Sequence, residues 1–124
     1  MKVWNLAVAL TAAIPAGAAA MPVDAFLAKA DALHSKGIAA MFSADLQVLT
    51  GVIQSDAAAL RTEREAATAA HRTAAYCPAG PIKLGSNEII QAMRAVPSVD
   101  RPHTDTREVL RGYLAKRFPC ASGH

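Results

Sequence analysis

The sequence predicts an all-α protein: a small helical bundle with one long helix, its C-terminal helices bracketed by a disulfide. Three observations carry this. Apolar residues recur at three- and four-residue spacing in each patterned segment, the period of a helix with one inward face. No segment alternates apolar and polar residues as a half-buried strand does, and no Asn-Gly hairpin turn occurs. Two cysteines, Cys77 and Cys120, flank the last two patterned segments.

The N-terminal stretch sets the expected compartment. Lys2 precedes an apolar run from Val3 to Ile14, followed by Pro15, Gly17 and Ala18-Ala19-Ala20. A charged start, a short apolar stretch and small residues before a cut are the marks of a secretory signal, with cleavage expected after Ala20. Asn5, Thr11 and Pro15 interrupt the run, which falls short of the roughly 20 apolar residues a bilayer span needs. The expected product is residues 21–124, a single helical domain in a bacterial periplasm or secreted, with no membrane span after signal cleavage. In such an oxidising compartment an even number of cysteines reads as one disulfide, Cys77–Cys120, because neither CxxC nor a ligand-type Cys-His spacing is present. In the loop-entropy treatment that closure contributes on the order of 4 kcal/mol, a large share of the roughly 5–15 kcal/mol a small domain possesses.

Composition limits what such a product can do. Residues 21–124 hold 21 alanines, five aromatics and no tryptophan, Trp4 lying in the signal, so the core is thin. The same span has 12 basic and 10 acidic side chains, a net charge of +2, which speaks against a nucleic-acid binder.

The first helix is expected over Pro22–Lys36. Val23, Phe26, Leu27, Ala30 and Leu33 form its inward stripe, Pro22 suits its start, and Gly37 its stop. Asp24 and Lys36 complement the helix dipole in that direction. Ile38–Phe42 reads as a short apolar connector, with Ser43 as cap of the next helix. Helix two is long. Leu46, Leu49, Ile53, Leu60, Ala67 and Ala74 fall on one stripe and no proline intervenes before Pro78. Gly51 weakens its middle by roughly 1 kcal/mol relative to alanine, and Ser55-Asp56 could cap a fresh start, so the pattern leaves open whether the helix runs through or breaks near 51–56. Arg61 and Glu65 stand at i,i+4, the spacing of a helical ion pair.

Ala75–Gly85 is punctuated by Pro78, Gly80, Pro81 and Gly85 and reads as irregular. Ser86 as cap, Glu88 in the first turn, and Ile89, Ile90 and Met93 predict a third helix ending before Pro97. Residues 97–104 read as a polar loop. Thr104 or Thr106 is the expected cap of the last helix, whose stripe is Val109, Leu110, Tyr113, Leu114 and Phe118, with Tyr113 placing its hydroxyl at the rim. Pro119 ends it, and Ala121–His124 reads as a frayed tail.

The patterns that carry chemistry are missing from the sequence. His34, His71, His103 and His124 stand at least 21 residues apart, without the i,i+4 spacing of a helical metal site, so no metal and no cofactor are expected. There is no GxSxG and no glycine-rich phosphate loop, and Glu63 and Glu65 point to different helix faces. The chain is therefore read as non-enzymatic. Charge is uneven, however: residues 77–124 carry seven basic and four acidic side chains. Arg94, Arg101, Arg107, Arg111, Lys116 and Arg117 could form a patch for an acidic partner or an anionic envelope polymer. Against this, Arg107 to Arg117 interleave with the core stripe and must face outward in any case.

Cys77-Pro78-Ala79-Gly80, a helix ending at Pro97, a second helix through Leu110 and Leu114, and the terminal Phe118-Pro119-Cys120 give residues 76–120 a distinctive order. In this the chain resembles the Rap/Tai-type family of type VI secretion amidase immunity proteins, in which Cys-Pro-x-Gly and Phe-Pro-Cys bracket two helices of a small exported protein. Upstream the chain departs from that family, with an alanine-rich helix where further cysteine and a Gly-Tyr-containing helix are expected. The resemblance implies a periplasmic inhibitor that blocks the cleft of a peptidoglycan amidase effector. The Pro78–Ser86 loop with Lys83, and the last helix with Arg107 and Arg111, are the expected partner surface. The competing reading is a periplasmic structural or stress-related helical protein of unknown partner; a third, a metal-sensing helical protein, is opposed by the histidine spacing. A homodimer is one way to complete the alanine-rich face.

Overall fold

In a computed structural model, residues 20–121 are described. The expected signal lies outside them except for Ala20, as do His124 and the end of the expected C-terminal tail. Four α-helices follow in order: α1 (Val23–Lys36), α2 (Ala44–Ala69), α3 (Ser86–Arg94) and α4 (Thr106–Arg117). Short 3₁₀ turns occupy Gly37–Phe42 and Arg101–His103. Among the described residues there is no strand beyond a single antiparallel bridge, Pro22 to Asp105. The all-α bundle with one long helix is therefore the observed architecture.

α1 buries the stripe expected of it, Val23, Phe26, Leu27, Ala30 and Leu33. It stops at Gly37, whose φ of 57° and ψ of −130° suit glycine alone. The chain then turns by 100° before α2. Lys29 Nζ to Asp45 Oδ1 at 3.2 Å and Lys36 Nζ to Ser43 Oγ at 3.3 Å tie α1 to the start of α2. Ser43 is the cap of α2, as expected, accepting from Asp45 N–H. The connector is not a covered apolar link: Ile38 and Phe42 are 83 % and 89 % exposed.

α2 runs 26 residues through 51–56 without a break, which decides the point the sequence left open. Asp56 does not cap a new helix. It is buried on the inward stripe with Leu49, Val52 and Leu60, and a partner on α4 satisfies its side chain. Within a helix already held by packing on both sides, one glycine does not outweigh the contacts of its neighbours. The helix ends at Ala69, so Ala74 falls beyond it. Its end is a Schellman motif: Arg72 N–H donates to Ala67 O at 2.8 Å, His71 N–H to Thr68 O at 3.1 Å, and His71 takes the left-handed φ of 56°.

Two caps differ by one position from expectation. Gly85, not Ser86, precedes α3, and its N–H donates to Glu88 Oε1 at 3.2 Å. Asp105, not Thr104 or Thr106, caps α4, accepting from Glu108 N–H at 2.8 Å. An aspartate at the cap frees Thr106 to turn inward. α2 packs mainly on α4 and α1, while α3 rests on α4 and α1. The core they enclose includes Phe26, Leu60, Met93, Leu110 and Leu114, with Tyr76 from the segment after α2. No single helix among the described residues is long and apolar enough to cross a membrane.

Candidate binding surface

The disulfide joins Cys77 to Cys120, with their Cα atoms 4.8 Å apart, and closes the ring that holds α3 and α4. Its irregular part, Pro78 to Gly85, is fastened at both ends. At the first, Cys77 N–H donates to Phe118 O at 2.7 Å, and the neighbouring Tyr76 is buried with the Arg64 guanidinium 5.3 Å from its ring centre. At the second, Glu88 gathers three donors: Gly85 N–H, the Tyr113 hydroxyl and the Arg117 guanidinium. The Tyr113 hydrogen bond above all, then the Gly85 amide and Arg117, holds the Glu88 carboxyl below the usual glutamate range. Tyr113 is half-buried with its hydroxyl at the rim, as expected.

Between these anchors the loop alternates. Ile82 and Leu84 turn down onto the core, while Ala79, Gly80, Pro81 and Lys83 stay exposed. Beneath lies an open cleft of about 720 Å³ whose walls include Leu60, Tyr76, Ile82, Leu110 and Leu114, together with Arg61, Arg64 and Glu65. A second groove of about 410 Å³ runs between α1, α2 and α3 along Phe26, Leu33, Leu49 and Ile90. Ile53, Leu84 and Ile89 line both.

The three basic residues expected at the partner surface stand in different situations. Lys83 is exposed on the loop, in no ion pair among the described residues. Arg107 does not simply face outward: it is 31 % exposed, and its Nε lies 3.3 Å from Oδ1 of the buried Asp56. Arg111 grips Glu63 through two bonds of 3.0 and 2.8 Å. That hydrogen bonding lowers the Glu63 carboxyl and raises the Arg111 guanidinium. Both arginines thus bridge α4 to α2. The expected Arg61–Glu65 pair does not form, and of the two glutamates it is Glu63, not Glu65, that pairs with α4.

Asp56 is the side chain whose role the spacing did not convey. It is 0 % exposed and accepts from Thr106 Oγ1 at 2.6 Å, Thr106 being equally buried. Burial pushes its carboxyl above the usual range, against the opposing Thr106 hydrogen bond and Arg107 charge. A signal was present in the sequence, since Asp56 stands seven residues after Leu49 and four before Leu60 on the inward stripe. With no exposure and both oxygens engaged, this carboxylate is a structural clasp and cannot meet an external substrate. Among the described residues no group of three or more His, Cys, Asp or Glu side chains gathers to hold a metal ion.

Fold and surface together define a disulfide-closed all-α bundle that presents an anchored loop over apolar clefts. No family model, curated protein or solved structure matches the chain.

Proposed function

We propose that this chain is a non-catalytic exported binding protein that blocks an enzyme cleft, with a peptidoglycan amidase effector as its partner. The observation that carries the reading is the Pro78–Gly85 loop, anchored at one end by the disulfide and at the other by Glu88, with its tip exposed. A loop already held in shape loses little freedom on association, so more of its contact energy appears as affinity. Lys83 is the charged side chain of that loop left open to a partner, and the resemblance of residues 76–120 to amidase immunity proteins names the partner class.

The first test is affinity capture with oxidised residues 21–124 from periplasmic and secreted fractions of type VI-active cells, followed by hydrolysis assays on what is recovered. The expected result is reduction-sensitive recovery of a peptidoglycan hydrolase whose activity the chain suppresses. A blank instead favours the periplasmic structural or stress-related role. Lys83→Glu is expected to weaken the complex without moving the melting temperature. Arg111 needs a different design because it is paired: exchanging it with its partner, as Arg111→Glu with Glu63→Arg, keeps the bridge while reversing the charge on α4. Unchanged affinity in the exchange variant removes α4 from the surface.

A further inference from the structure

The start of the described chain is fastened to the start of α4. Val23 N–H donates to Thr104 O and Thr106 N–H to Met21 O, both at 2.9 Å, and Pro22 bridges Asp105. The Met21 nitrogen itself donates to Thr106 Oγ1 at 3.3 Å. The same hydroxyl donates to Asp56 Oδ2 at 2.6 Å. The Met21 nitrogen and the buried carboxylate are therefore no further apart than these two bonds laid end to end. The peptide bond expected to be cut on export, Ala20–Met21, is the one that contains this nitrogen.

We propose that cleavage after Ala20 converts the Met21 nitrogen into an α-ammonium that acts as a second counter-charge to Asp56, so that the processed amino terminus locks α2 to α4. Hydrolysis gives Ala20 a carboxylate, which departs with the signal, and gives Met21 an amine. That amine is protonated at neutral pH, its ordinary pKa being about 7.7–8.0. The inference rests on export with that cut, and not on the identity of the partner.

The electrostatics of the clasp ask for such a charge. A fully buried carboxylate is costly unless it is well paired. The charged groups acting on Asp56 are Arg107, through a single Nε contact at 3.3 Å, and Asp105, which has the same sign. Burial outweighs the help it receives, which leaves the carboxyl raised. A cation bonded to the hydroxyl that already holds Asp56 lies within the range at which an opposite charge favours the ionised form. Before processing, the same nitrogen is a neutral amide that supplies a hydrogen bond and no charge.

Two oxidised proteins test this: one beginning at Met21, released from a fusion by a protease that leaves Met21 first, and one retaining Ala18-Ala19-Ala20 ahead of it. At pH 7 the Met21 form is expected to melt about 4–8 °C higher. The gap should close when both carry Asp56→Asn. It should also close as pH rises towards about 10, because an amine whose folded pKa is raised contributes fully below its ordinary value and loses that contribution through the folded one. No gap, or an equal gap in the Asp56→Asn pair, overturns the proposal. A second measurement needs no variant: after ¹³C reductive methylation, which keeps the charge, an NMR titration reads the Met21 amine directly. Titration above about 8.0 supports the counter-charge, and an ordinary value overturns it. The mass of the exported protein separates the two premises: a first residue other than Met21 rejects the cut, whereas the correct cut without a stability gap rejects the electrostatics.

Discussion

Thr106 puts one hydroxyl to two uses, donating to Asp56 and accepting from the Met21 nitrogen. Thr106→Val keeps the shape and removes both. Urea unfolding at pH 7 is expected to show a loss of about 1–3 kcal/mol, the cost of leaving buried polar groups unsatisfied. The pH dependence should change as well. Because the Asp56 carboxyl is raised in the folded state, its contribution is full below its ordinary value of 3.8 and is lost as pH rises through the folded value. Without its Thr106 donor that carboxyl moves further up, so the variant should lose stability over a wider pH range than the parent. Glu63 and Glu88 act with the opposite sign. Their carboxyls are lowered, so their contribution is present above the ordinary 4.5 and is lost as pH falls through their folded values. Glu63→Gln with Glu88→Gln should flatten that acid limb in a urea series from pH 5 to 2.5; an unchanged limb rejects the assignment. Tyr113 was legible in the sequence because one rim hydroxyl on a core stripe has few alternatives. Asp56 was not, because a capping role and a buried role use the same residue type, and only the neighbour across the bundle decides between them.

At the level of helices, boundaries marked by a residue with a single physical meaning were legible, and those resting on competing caps were not. Gly37 and Pro119 mark the ends of α1 and α4 in sequence and structure alike. Ser86 and Thr106 are good caps in isolation, but each is displaced by a neighbour one position earlier that bonds the first turn. Whether α2 breaks depended on α1 and α4 gripping it from outside, information that no local window contains. Two substitutions probe these helices. His71→Gly relieves a left-handed residue at the Schellman end of α2 and is expected to gain about 0.5–1 kcal/mol after glycine's own entropic cost. Gly112→Ala, on an exposed position of α4 where an added Cβ meets nothing within 4 Å, should gain about 0.5–1 kcal/mol. Thermal melts of the oxidised proteins check both. A loss with His71→Gly rejects the left-handed end of α2, and a loss with Gly112→Ala rejects an open helical position on α4.

Across the whole molecule the disulfide is the covalent cross-link, joining residues 43 positions apart in sequence. In the loop-entropy treatment its removal costs on the order of 4 kcal/mol, equivalent to a fall in melting temperature of about 15–30 °C for a chain of this size. Reduction, or Cys77→Ser with Cys120→Ser, is the measurement; coincident melts of oxidised and reduced protein would mean that the bridge is not a staple. The bundle itself was legible from helical periodicity and cysteine placement. The clefts were not, because one arises from how α2, α3 and α4 meet and the other from how α1, α2 and α3 meet.

The same ring decides how the molecule carries mechanical load. Once the contacts of residues 21–76 have given way, tension between the two ends of the described chain enters at Cys77 and leaves at Cys120, whose Cα atoms are 4.8 Å apart, so it passes through two sulfur atoms and bypasses α3 and α4. In an optical-trap experiment the oxidised chain should unravel only outside the ring. Reductant should then release a hidden length of about 150 Å in a separate step.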